Sequence, residues 1–130
     1  DGDVAGAIAP SLPGSDIDIL MGIGASAEAV LAAAAIKILG GEILARFKPQ
    51  KESQLKEIKK WGIKNLNKVY SSEDLAKGNQ LTFTATGIIE GPLLRGVEFQ
   101  RNTIITHSMV IRGISGTVRY ITTHHHYRRM

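Results

Sequence analysis

Two short stretches hold the residues best suited to chemistry. Asp1-Gly2-Asp3 sets two carboxylates, one residue apart, at the mouth of a short predicted helix. Gly22-Ile23-Gly24-Ala25-Ser26-Ala27-Glu28 is a glycine-rich turn that leaves an apolar segment and enters a second helix. Such a turn presents free N–H groups and the positive end of a helix dipole, which suits a phosphate. Glu28 falls in the first turn of that helix, where a bare carboxylate repels a bound phosphate. A divalent metal between the two removes the conflict. The opening of the chain therefore reads as part of a metal-dependent phosphate-ester site. Two other readings of the same residues stay open. Gly22-x-Gly24-x-x-Ala27 after a strand matches a relaxed dinucleotide fingerprint, with Arg46 near where a 2′-phosphate contact would sit, although no acid closes the second strand. The glycines also suit an ordinary tight turn, and Asp1 and Asp3 also suit helix capping.

The elements that must position these residues follow from pattern. Residues 4–12 read as a short helix stopped by Pro13-Gly14, and 17–21 (Ile-Asp-Ile-Leu-Met) as a buried strand ending at Gly22. Ser26 is the expected N-cap of a helix running to Leu39, where Gly40-Gly41 end it. Residues 42–47 read as a second strand, giving a parallel, right-handed strand–helix–strand unit. A charged amphipathic helix is expected over 52–61, with Leu55, Ile58 and Trp61 on its inner face. Lys68-Val69-Tyr70 suggests a short strand, and Ser71 to Leu75 a helix start with acids in its first turn. Thereafter the chain is β-rich, with strands at 81–85, 97–100, 103–112 and 117–122 and a hairpin turn at 113–116. The order predicts an α/β domain with a layered mixed sheet and flanking helices.

Other polar residues read more simply. Asp16 and Asp18 flank a strand start as solvent-facing turn residues. His107 lies in a β-branched strand and reads as a satisfied sheet histidine. His124, His125 and His126 look like a chelating tract, but a C-terminal tail explains them as well.

Composition sets the bounds. The 130 residues suffice for one domain with a real core, and 43% hydrophobic against 22% charged is an ordinary globular balance. No apolar run spans a membrane, since Glu28 and Lys37 interrupt the stretch 27–39. A net charge of +4 permits an anionic partner, but the basic residues are scattered as on solvated faces. Aromatics at 5% in no stacking pattern argue against nucleic acid. The lack of cysteine excludes disulfides and thiolate metal sites and agrees with a cytoplasmic protein. The chain opens inside its own candidate motif, and a site carboxylate at a frayed terminus is poorly held. The expectation is therefore the C-terminal part of a longer protein.

The ordered segments Asp1-Gly2-Asp3-Val4-Ala5, Ile17-Asp18-Ile19-Leu20-Met21-Gly22-Ile23-Gly24, Glu28-x-Val30-Leu31-Ala32-Ala33-Ala34-Ala35 and Gly40-Gly41-Glu42 together resemble the class II fructose-1,6-bisphosphatases. The resemblance continues through Ala85-Thr86-Gly87, Leu93-Leu94-x-Gly96-Val97, Thr106-His107-Ser108-x-Val110-x-Arg112 and Ser115-Gly116-Thr117-Val118-Arg119. It implies the C-terminal lobe of the sugar-phosphatase fold and hydrolysis of the 1-phosphate of fructose 1,6-bisphosphate in gluconeogenesis. Some members also take sedoheptulose 1,7-bisphosphate. It further implies Mg or Mn as cofactor, a homo-oligomer and a cytoplasmic setting. Asp1, Gly2, Asp3 and Ala25 would contact substrate, and Glu28 would bind metal. Ala25 stands where the family usually has glycine, so close backbone approach there requires a negative φ. Ala27 replaces a usual proline, and Glu90-Gly91-Pro92 stands for a more acidic stretch. The remaining acidic ligands of that family lie upstream. The alternative is a non-catalytic domain that binds a phosphosugar or nucleotide.

Overall fold

Alternation governs the β-rich half. A computed structural model describes residues 2–126, and within them β1 (Thr82–Thr86), β2 (Glu98–Gln100), β3 (Thr103–Arg112) and β4 (Thr117–His126) form one sheet. β4 pairs with β3 from Thr103↔His126 to Arg112↔Thr117. On β3's other edge, β1 takes Ser108 to Arg112 and β2 takes Thr103 to Ile105. The expected turn joins β3 to β4, with Gly116 at φ 58°. β4 runs beyond its expected end at 122, so the three histidines are strand residues rather than a tail.

The described residues also form four helices: α1 (Gly2–Ile8), α2 (Ser26–Ile38), α3 (Glu52–Lys60) and α4 (Ser72–Leu75). Pro10 does not break the first helix outright; a 3₁₀ turn, Ala9–Ser11, carries on from α1. α2 is alanine-rich, and its small side chains let it lie close on the sheet. Ala32, Ala35 and Ile36 of α2 and Ile8 of α1 pack on Phe83, Met109 and Ile111, which share one face of the sheet. This is the core. The opposite face, carrying Thr82, Thr84, Thr86 and Phe99, is exposed, as an antiparallel sheet allows.

The expected parallel strand–helix–strand unit is not formed. Residues 17–21 lie in neither helix nor strand, and 42–47 make one antiparallel bridge, Ala45↔Tyr70, besides side-chain hydrogen bonds to Ser72. The α/β character stands, but every strand pair among the described residues is antiparallel, not mixed. Residues 42–48 still alternate inward and outward, with Ile43, Ala45 and Phe47 half-buried. Phe47 meets Tyr70 edge-on at 5.8 Å, and Lys68 Nζ lies 4.8 Å above the Tyr70 ring. The strand pattern is thus real, while a ladder needs neighbours that these residues lack. On α3 only Ile58 is buried, and Trp61, expected to face inward, is 55% exposed at the C-cap.

The C-terminal end of α2 is held by a polar hook. Lys37 Nζ pairs with Glu73 and donates to the carbonyls of Ala76 (3.1 Å) and Gly78 (2.8 Å). Glu42 Oε1 accepts from the N–H and O–H of buried Ser72, at 2.9 and 2.7 Å. Ser71 caps α4 and donates to Asp74 from both its N–H and its O–H. These bonds hold the carboxyls of Glu42, Glu73 and Asp74 below their ordinary range, through Ser72, Lys37 and Ser71 respectively.

Candidate functional site

The start of α2 sits beside the start of α1, and two carboxylates meet there. Asp3 stands in the first turn of α1 and Glu28 in the first turn of α2, each where the helix dipole favours negative charge. Glu28 Oε2 accepts the Ala25 N–H at 3.0 Å, reaching back over its own helix start. Between them lies Gly24. A β-carbon placed on Gly24 would come 3.1 Å from Asp3 Oδ2 and 3.5 Å from Glu28 Oε2. The two acids, 25 positions apart in the chain, therefore flank one glycine.

Gly24 gives room rather than flexibility. Neither Gly22 nor Gly24 has a positive φ, and a β-carbon on Gly22 would meet nothing within 4 Å. Ala25, not Ser26, is the N-cap residue, with φ −76° and ψ 152°. That extended conformation suits alanine as well as glycine, so its N–H direction survives the side chain. Ser26 is instead the first helical residue.

The other expected residues separate cleanly. Gly2 begins α1 and is exposed, and Asp1 lies outside the described residues. Glu90 closes its own loop, accepting from the Gly96 N–H at 3.2 Å. His107 is a satisfied sheet histidine: Nε2 contacts Glu98 Oε1 at 3.0 Å and Nδ1 contacts Thr122 Oγ1 at 3.3 Å. Glu98 also pairs with Arg95 at 2.7 Å. Along β4, His124 and His126 share a face and their rings stack at 6.4 Å, while His125 points the other way to Thr106 Oγ1. The dinucleotide fingerprint finds no support among the described residues, where no strand precedes Gly22 and no parallel crossover follows. Sequence reasoning named Gly24 for its N–H group and missed its role as the meeting point of Asp3 and Glu28. No local signal carries that contact.

Carboxylate oxygens are hard donors, and the Glu28 carboxylate is of the kind that suits a Mg- or Mn-type ion. No group of three or more His, Cys, Asp or Glu side chains that could hold a metal ion occurs among the described residues. No helix among them is long and apolar enough to cross a membrane.

The family described as bacterial fructose-1,6-bisphosphatase, glpX-encoded, matches residues 1–125. The chain is 42% identical over 97% of its length to a class 2 fructose-1,6-bisphosphatase of Haemophilus influenzae, covering 41% of that protein. It is 40% identical over 96% of its length to a class 2 D-fructose 1,6-bisphosphatase/sedoheptulose 1,7-bisphosphatase of Trichodesmium erythraeum, covering 40% of it. The protein of the same description from a Synechococcus species is 38% identical over the same share of this chain. The chain thus spans about two-fifths of the length of the curated relatives it matches.

Proposed function

The chain belongs to the family of bacterial, glpX-encoded fructose-1,6-bisphosphatases, and from that premise we propose that it is the C-terminal lobe of a longer, cytoplasmic sugar bisphosphatase. In this reading the whole enzyme hydrolyses the 1-phosphate of fructose 1,6-bisphosphate. The observation that carries the reading is the convergence of Asp3 and Glu28 on Gly24 at the start of α2.

Each residue then has a role. Glu28 holds a divalent ion, which when bound supplies positive charge to the phosphoryl oxygens. Asp3, with Asp1, accepts hydrogen bonds from sugar hydroxyls. The N–H groups of Ser26 and Ala27, at the positive end of α2, donate to the phosphate. Ala25 keeps its N–H on Glu28 and so fixes the carboxylate's direction. Water attacks phosphorus in line with the bond to the sugar oxygen, which leaves with its electron pair and takes up a proton. The remaining acidic ligands come from the rest of the enzyme.

The test is Glu28→Gln in the complete enzyme. Glutamine keeps an acceptor for the Ala25 N–H, so the helix start survives while the charge is lost. Turnover should fall by about 100-fold or more, with a raised metal requirement. Unchanged turnover and metal dependence would sink the assignment. One observation favours a second reading: the described residues supply only two converging acids. A native polypeptide of 14.0 kDa would make this a binding module that takes a phosphosugar without hydrolysing it.

A further inference from the structure

Residues 17–23 read Ile-Asp-Ile-Leu-Met-Gly-Ile and belong to no helix or strand among the described residues. Their apolar side chains are in water: Ile19 is 72% exposed, Met21 87% and Ile23 62%. Leu20, between them, is itself 48% exposed but reaches α1, where a β-carbon on Gly6 would meet its Cδ1 at 3.0 Å. One side of the segment thus has a neighbour and the other is bare. The peptide groups of residues 18–24 make no hydrogen bond to any other described segment. A short apolar run with open peptide groups is what an inner strand looks like once its neighbours are taken away.

The length of the relatives identifies those neighbours. About three-fifths of each curated relative lies outside the region this chain matches. The segment also leads straight into Gly24 and Glu28, and the described residues hold no group of three or more metal-ligating side chains there. We infer that residues 17–23 form an inner strand of a sheet whose adjoining strands come from the part of the enzyme outside this chain. This junction brings the other half of the site to the Asp3–Glu28 pair. The inference rests on the reading of the chain as one lobe of a longer bisphosphatase.

Methionine oxidation tests it without any substitution. Met21 is exposed and Met109, at 0% exposure, is an internal reference. The polypeptide is isolated from its source cell, its intact mass is measured, and dilute hydrogen peroxide is applied before and after unfolding in urea. Peptide mass spectrometry follows each sulfoxide. The inference expects a polypeptide more than twice as long as 130 residues. In it, Met21 should oxidise at least about tenfold more slowly folded than unfolded, close to Met109. Oxidation of Met21 within about twofold of its unfolded rate overturns the inference. So does protection of Met21 in a 14.0 kDa polypeptide, which assigns the face to a second copy or another protein. Bisphosphate hydrolysis is assayed on the same sample. Protection without hydrolysis keeps the junction and rejects the catalytic reading, whereas hydrolysis with Met21 open does the reverse.

Discussion

Apolar, β-prone segments meet different fates in the two halves of the described chain. Between 81 and 126 they find partners nearby in sequence: β3 is covered along one edge by β4 and along the other by β1 and β2. Between 2 and 80 they do not: residues 17–23 are unpaired and 42–47 hold a single bridge. Side-chain pattern does not explain the difference, since Ile-Asp-Ile-Leu-Met is as strand-like as any stretch of β3. A β pattern says what a segment can bury and leaves open what covers it.

Substitutions in the 130-residue chain can break or sharpen this contrast. The largest effect is expected at Met109, which is fully buried between sheet and helices. Met109→Ala should cost about 2–5 kcal/mol in urea denaturation. Ile19→Ala, at 72% exposure, should stay within about 0.5 kcal/mol. Similar losses at both sites would erase the distinction between the halves.

Glycines give the next contrast. A β-carbon on Gly87 would lie 2.0 Å from the Arg95 carbonyl oxygen, so Gly87→Ala should cost about 1–3 kcal/mol by forcing the 87–97 loop open. Gly22→Ala meets nothing within 4 Å and should be neutral, or stabilising by up to about 1 kcal/mol, through the unfolded state. Denaturation midpoints of the two variants decide it.

Acid should loosen the N-terminal half locally. Glu42, Glu73 and Asp74 have folded-state pKa values below those of the unfolded chain, held down chiefly by Ser72, Lys37 and Ser71. Their stabilisation is full above the ordinary carboxylate range and is lost as pH falls through the depressed values. Hydrogen exchange measured down through that range should show α4 opening before β3 and β4 do. Simultaneous opening would mean the hook contributes nothing of its own. The smallest effect is expected at the exposed Lys56–Glu52 pair, 3.0 Å apart on α3. Lys56→Ala should change stability by less than about 0.5 kcal/mol in the same denaturation assay.

Much of the architecture was legible in the sequence, for reasons that can be named. α2 has an alanine-rich run closed by Gly40 at φ 81°, and β3 and β4 have alternation and a short turn between them. These signals are local. The reading of 17–21 as a strand failed within the described residues because pairing is decided by distant partners. His124 to His126 were read as a tail because histidine is a weak strand signal, while β3 is long enough to recruit them. In the candidate site, Glu28 was legible from its place in a first turn. Its convergence with Asp3 was not, since only the packing of α1 beside α2 brings the two together.

Gly24 and Ala25 are neighbours in one turn with opposite freedom to drift. Position 25 asks only for an extended backbone, so an alanine there costs the turn nothing. Position 24 is tight, since a β-carbon there would sit 3.1 Å from Asp3 Oδ2 and the exposed carboxylate must give by a few tenths of an ångström. A lineage that keeps both acids in place can therefore exchange the residue at 25 silently, while an alanine at 24 asks the Asp3 side chain to give way.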